Sequence, residues 1–234
     1  MLTWLDPTDP FPPVERALRR PNGLLAAGAD LSPARLIDAY SRGIFPWFGD
    51  DDPLLWWSPD PRMVLRLADL RVTRSLRKRI RSGVFRVTAD TAFEAVMAGC
   101  AGPRADADGT WITGEMFEAY VALHRMGQAH SVESWDGDAL VGGLYGVALG
   151  RMFFGESMFA RQSDASKVAF AHLVRQLERW GFTMIDCQMA TAHLASLGAA
   201  EMPRATFLDE VRRLVAMPPV PSPWSFEPGL ADSF

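Results

Sequence analysis

Apolar positions recur with two periods along residues 63–215. Period-2 or continuously apolar runs at 63–67, 85–88, 131–135, 139–149, 152–154 and 183–188 predict strands. Helical spacing predicts helices near 70–82, 91–98, 113–127, 164–180, 190–197 and 205–215. In the 164–180 segment Val168, Ala171, Val174 and Leu177 fall on one face, with Ser163 or Asp164 as N-cap and Gly181 as the stop. Trp135-Asp136-Gly137-Asp138 reads as a hairpin turn between two strands. The pattern predicts an α+β domain with a mixed, largely antiparallel sheet.

Residues 1–62 have another texture, rich in Pro, Gly and aromatics, with turn signals at Pro12-Pro13, Pro21-Asn22-Gly23, Pro46-Trp47-Phe48 and Ser58-Pro59-Asp60-Pro61. One short helix fits there, capped by Ser32, with Pro33 in its first turn and Gly43 as its end. The break divides the chain into a small, loop-dominated domain at 1–62 and a larger one at 63–234, whose tail from Pro218 is proline-rich and irregular.

With 48% hydrophobic and 22% charged residues, 234 residues can bury a sizeable core. No run approaches the roughly 18 uninterrupted apolar residues of a membrane helix, and Met1-Leu2-Thr3-Trp4-Leu5-Asp6 lacks a basic start followed by an apolar core. Cys100 and Cys187 are too few for a disulfide framework and form no metal-ligand pattern. A cytoplasmic protein without metal, not an obligate oligomer, is expected.

The net charge of −4 hides a local excess. The segment 71–81 holds six basic residues and no acidic one. On a helix, Val72, Leu76 and Ile80 form an apolar stripe, and Arg71, Arg74, Arg77, Lys78 and Arg81 fall opposite. Like charges at these spacings repel, so helix stability does not explain them, whereas a polyanion does. A solvated helix face is the plain alternative. Loop aromatics (Tyr40, Phe45, Trp47, Phe48, Trp56, Trp57 and Trp111) either plug a core or stack on bases.

Two further places carry candidate chemistry. In Asp186-Cys187-Gln188, ending a strand, alternation puts Asp186 and Gln188 on one face and Cys187, a small buried thiol, on the other. A carboxylate beside an amide can orient it to accept from an incoming amine. Glu156 follows the apolar strand 152–154, and a buried carboxyl there needs a partner or a function.

These segments resemble the leucyl/phenylalanyl-tRNA–protein transferase family. The matching stretches are PNGLLAAGADLSPARLIDAYSRGIFPWF (21–48), WWSPDPRMVL (56–65), TWITGEMFEAY (110–120), GRMFFGESMFARQSDASK (150–167) and DCQMATAHLASLGAAEMPR (186–204), covering nearly the whole chain. The resemblance implies a small N-terminal domain on a larger acetyltransferase-like (GNAT) domain. It implies transfer of Leu or Phe, less well Met, from aminoacyl-tRNA to proteins beginning with Arg or Lys, a degradation signal of the N-end rule. No metal, nucleotide or other cofactor is implied, because the ester is already activated. The family's catalytic residues fall on Asp186, Gln188 and Glu156. Its aminoacyl pocket falls on Leu144, Phe153, Met158, Phe170, Leu177 and Ile185, its adenosine-stacking positions on Tyr40, Trp47 and Trp111. Its tRNA contact falls on Arg74, Arg77, Lys78 and Arg81.

Two rivals share parts of this pattern. A CoA-dependent acetyltransferase needs a glycine-rich turn for pyrophosphate, and the stretch Arg161-Gln162-Ser163-Asp164-Ala165-Ser166-Lys167 has no glycine and one acid. A non-catalytic RNA-binding module would use the basic helix and aromatics but leave Asp186, Gln188 and Glu156 idle.

Overall fold

The computed structural model describes residues 2–49, 51–102 and 112–234. In chain order its strands and helices are β1 (Thr3–Leu5), β2 (Leu24–Gly28), α1 (Pro33–Ser41), β3 (Phe45–Pro46), β4 (Leu55–Trp57), β5 (Arg62–Arg66), α2 (Arg74–Arg81), β6 (Arg86–Ala89) and α3 (Phe93–Ala101). They continue with α4 (Gly114–Arg125), β7 (Ala129–Asp136), β8 (Ala139–Leu149), β9 (Met152–Ala160), α5 (Ala165–Arg179), β10 (Met184–Asp186), α6 (Ala192–Ser196), β11 (Ala200–Met202) and α7 (Arg204–Val215). The fold is α+β with a mixed sheet.

The N-terminal segment departs from the loop-dominated reading. β1, β2, β4 and β3 form a four-stranded sheet in that order. These strands are two to five residues long and lack clear alternation, so turn residues mask them. Helix α1 begins as expected: the Ser32 hydroxyl accepts from the Arg35 N–H, and Pro33 opens the first turn.

The large sheet runs β11-β5-β10-β9-β8-β7-β6, antiparallel except for β9 and β10. Side-chain alternation sends its two faces into different cores. Tyr145, Val147, Met152 and Phe154 pack with α1, α3 and α4, while Leu144, Ala148 and Phe153 pack with α5. The first of these cores is continuous with the apolar residues of the N-terminal sheet. No helix among the described residues is long and apolar enough to cross a membrane.

Two strand boundaries differ from expectation, and both matter for the site. β9 runs on to Ala160, so Glu156 lies inside a strand rather than at its end. β8 pairs Tyr145 with Ser157 and Gly146 with Gly155, leaving Glu156 as the extra residue of a β-bulge. The bulge reverses the alternation, so Phe154 belongs to one core and Met158 packs on the other. Gly146 is required there, since a Cβ would stand 2.3 Å from the Phe154 carbonyl oxygen. β10 ends at Asp186, and Gln188 has φ 56.

The ends of α5 match the expected residues more closely than the expected bonds. Asp164 occupies its N-cap position but with φ 65 and no capping bond, its carboxylate being turned to the Lys167 ammonium at 3.2 Å. Gly181 closes α5 with φ 81. The tail is irregular, yet the Trp224 ring stacks on His130 at 3.6 Å and the Trp224 backbone N–H donates to the Asp90 carboxylate.

Candidate active site

β9 and β10 are paired only at Ile185↔Phe153 and Asp186↔Phe154. Beyond that point β9 continues and β10 stops, so two parallel neighbours part at their carboxyl ends, where ligands enter open sheets. A cavity of about 360 Å³ fills the gap. Leu144, Phe153, Met158, Phe170 and Ile185 give it an apolar wall, and Glu156, Asp186 and Gln188 stand on the same cavity. Leu177 does not: it is fully buried in the core on the α5 side of the sheet. It shares the apolar stripe of α5, and periodicity cannot separate a pocket wall from the packing behind it.

Asp186 is locked. Its carboxylate takes two bonds from the Arg62 guanidinium, at 2.8 and 2.7 Å, with both side chains fully buried. Arg62 also donates to the Gly43 carbonyl at 3.1 Å and lies between the rings of Phe45 and Phe207, each 4.7 Å away. The second interaction of Asp186 is with the backbone of Gln188, whose N–H donates to Oδ1 at 3.0 Å. This corrects the expectation that the carboxylate orients the Gln188 amide directly. The simple alternation of 186 and 188 fails because Gln188 is in the left-handed region, where a non-glycine residue costs roughly 1–2 kcal/mol. Asp186 holds that turn, which the Met189 N–H closes onto the Cys187 carbonyl at 2.8 Å. The Gln188 Nε2 is buried without a protein partner among the described residues, and a buried donor on a cavity wall calls for one.

Glu156 is embraced by two tyrosines. Tyr40 of α1 donates to one oxygen at 2.7 Å and Tyr120 of α4 to the other at 3.0 Å, and the two hydroxyls touch each other. Burial pushes the Glu156 carboxyl up to about 7, against the pull of the two hydroxyls. The tyrosines themselves are pushed well upward by burial and keep their protons. Tyr40 is therefore corrected as a stacking residue: it is fully buried, and its ring packs on Phe154. Trp47 is 38% exposed, with its ring edge-on to Trp57. Trp111 lies outside the described residues. Phe45, Phe48, Trp56 and Trp57 are core.

Cys187 is buried and its thiol pushed far upward by burial, so it supplies no thiolate. His193, at the cavity rim with Thr191 and Leu194, is lowered by burial and by Lys167. On α2, Leu76 and Ile80 are buried, while Arg74, Arg77, Lys78 and Arg81 line one open, shallow surface. No carboxylate among the described residues pairs with these four.

Sequence reasoning overlooked Arg62 and Tyr120. Arg62 carried a usable signal, a charge at the end of the apolar run Met63-Val64-Leu65, much as Glu156 was marked at the end of 152–154. Tyr120 carried none, because an aromatic on an amphipathic helix reads as core.

Comparison with known proteins adds an independent line. Residues 64–212 match the family described as leucyl/phenylalanyl-tRNA protein transferase, and residues 29–60 match that family's N-terminal domain. A leucyl/phenylalanyl-tRNA–protein transferase of Nitrosospira multiformis is 62% identical over 227 residues, spanning 97% of this chain and 98% of that protein. One of Stutzerimonas stutzeri is 63% identical over 210 residues, spanning 89% and 93%. Among solved structures, a GCN5-related N-acetyltransferase from Kribbella flavida gives a TM-score of 0.40 at 13% identity, over 71% of this chain and 60% of that one, too slight an overlap to carry an argument. With both family segments matched and relatives near 60% identity over almost its full length, the chain belongs to the leucyl/phenylalanyl-tRNA–protein transferase family.

Proposed function

We propose that this cavity is where Leu or Phe, and less well Met, passes from aminoacyl-tRNA to a protein beginning with Arg or Lys. The observation that carries the reading is the junction of an apolar wall with three polar groups, Glu156, Asp186 and Gln188, around one cavity. The wall takes the amino acid side chain. An apolar pocket separates side chains differing by one methylene by only about 1–3 kcal/mol, which accounts for mixed use of Leu, Phe and Met.

The reaction is aminolysis. The neutral α-amine attacks the ester carbonyl, a C–N bond forms, the C–O bond to the tRNA 3′ oxygen breaks, and a proton from nitrogen ends on that oxygen. Gln188 offers its side-chain carbonyl to the attacking N–H. Asp186, held by Arg62, acts one step back by fixing the turn that presents Gln188. Glu156 holds a substrate ammonium. Positioning supplies most of the rate, because an amide is a poor base. Trp47 stacks on the terminal adenosine, a role the family resemblance extends to Trp111, and Arg74, Arg77, Lys78 and Arg81 meet acceptor-stem phosphates. The protein acts as a cytoplasmic monomer without metal or cofactor, its residues 1–62 and 63–234 forming two packed domains, and its product enters the N-end rule.

The Gln188→Ala variant tests this division of labour. Single-turnover transfer should fall about 10²-fold, the scale of a positioned catalytic group, with tRNA affinity within about twofold of the parent. Unchanged transfer would remove Gln188 from the chemistry.

A further inference from the structure

Three oxygen-bearing groups meet pairwise around Glu156: Tyr40 with Glu156, Tyr120 with Glu156, and Tyr40 with Tyr120. Three contacts between oxygens need three protons, since an oxygen pair without one repels. The two phenols supply two. If both donate to an ionised carboxylate, nothing stands between their own oxygens. A proton on the carboxyl completes a ring in which each group donates once and accepts once.

We propose that Tyr40, Tyr120 and Glu156 form a closed hydrogen-bonded ring that keeps Glu156 protonated in the empty site, and that a substrate ammonium enters by displacing this proton to solvent. Resting on the reading of Glu156 as the ammonium's holder, this makes the tyrosines positioning residues and binding a proton-releasing step. The ring joins α1 to α4 and β9, so residues of the N-terminal segment set the charge state of a group on the large sheet.

The surroundings agree. The titratable and charged groups facing the carboxyl are Tyr40 from α1, Tyr120 from α4, Tyr145 from β8, Asp186 from β10 and Arg62 from β5, with His193 of α6 on the same cavity. Burial, the largest cause, and the Asp186 charge favour the neutral acid, while hydroxyls donating to the carboxylate and the Arg62 charge oppose it, and the carboxyl comes out at about 7. A substrate ammonium reverses the balance by supplying the opposite charge at contact distance.

The ring and a plain pair of donors differ in sign. Were the hydroxyls simply stabilising a carboxylate, removing one would raise the Glu156 midpoint. In the ring, removing one hydroxyl costs the neutral acid two bonds, whereas the carboxylate loses one charge-assisted bond and is relieved of the protonless contact between the tyrosine oxygens, so the midpoint falls, on the order of one unit. The experiment is carbon NMR of protein labelled at the glutamate carboxyl carbons, with the Glu156 signal identified by its loss in Glu156→Gln. Tyr120→Phe and Tyr40→Phe should each lower the midpoint by about one unit. An unchanged or raised midpoint in either folded variant overturns the ring.

The second arm measures affinity for adenosine carrying leucine through a 3′ amide, and for its N-acetylated form, between about pH 5 and 8. Affinity for the free-ammonium probe should fall about tenfold per pH unit below the Glu156 midpoint, and the acetylated probe should not follow. Flat affinity with a ring-like NMR response would retain the ring and overturn the ammonium's displacement of its proton.

Discussion

Glu156 is a carboxyl whose surroundings oppose its charge. Its position follows from one extra residue in β9, which turns it out of the ladder and toward Tyr40 and Tyr120. Because its midpoint is raised from an ordinary value near 4.5 to about 7, the folded chain holds a proton there that the unfolded chain releases. Folded-state stability therefore falls as pH rises through the window from about 4.5 to about 7, and is least above it. Glu156→Gln should flatten that part of a plot of unfolding free energy against pH, measured in urea. Glu133, which burial also raises, adds a slope of the same sign, and His172 and His193, which burial lowers, add one of the opposite sign. A slope unchanged by Glu156→Gln contradicts the raised value. The sequence showed that this carboxyl followed an apolar strand, at its end, and needed a partner or a function if buried. It could not show the tyrosines, because partners 36 and 116 residues away along the chain are a product of packing.

Among elements, α2 and the β9–β10 junction were legible to different degrees. The spacing of Leu76 and Ile80 fixed the buried face of α2 and left the cations outward, while Val72, expected on the same stripe, lies ahead of the helix and is half-buried. The proposed contact with tRNA phosphates rests on this helix exposing Arg74, Arg77, Lys78 and Arg81 on one surface. Changing any of them to Gln should weaken tRNA binding across tRNA sequences and reduce the salt slope by about 1 for each phosphate no longer neutralised. The check is the tRNA dissociation constant between about 50 and 200 mM salt. A slope that stays constant with all four changed removes α2 from the interface. The β9–β10 junction was half legible: the strands could be read, but a bulge at Glu156 and a left-handed turn at Gln188 change which way side chains point, and a period-2 pattern assumes neither.

For the whole molecule, Arg62 ties together what the sequence separated. It spans Gly43 and Phe45 of the N-terminal segment, Phe207 of α7 and Asp186 of β10, fully buried. Removing one partner of such a pair leaves an unpaired buried charge and costs about 3–5 kcal/mol. Asp186→Ala is thus a stability change as much as a chemical one, and reduced activity in it says little about mechanism. The break in composition near residue 62 was legible, whereas the short strands before it were not, and neither was a core running across that break. Aminoacyl transfer itself is put to the test by the intact chain incubated with radiolabelled Leu-tRNA and two peptides differing only in beginning with Arg or with Glu. Label passing to the Arg peptide alone is the predicted result. Label reaching neither peptide, with tRNA still bound in a salt-sensitive way, would contradict the transfer reaction and leave only an RNA-binding protein.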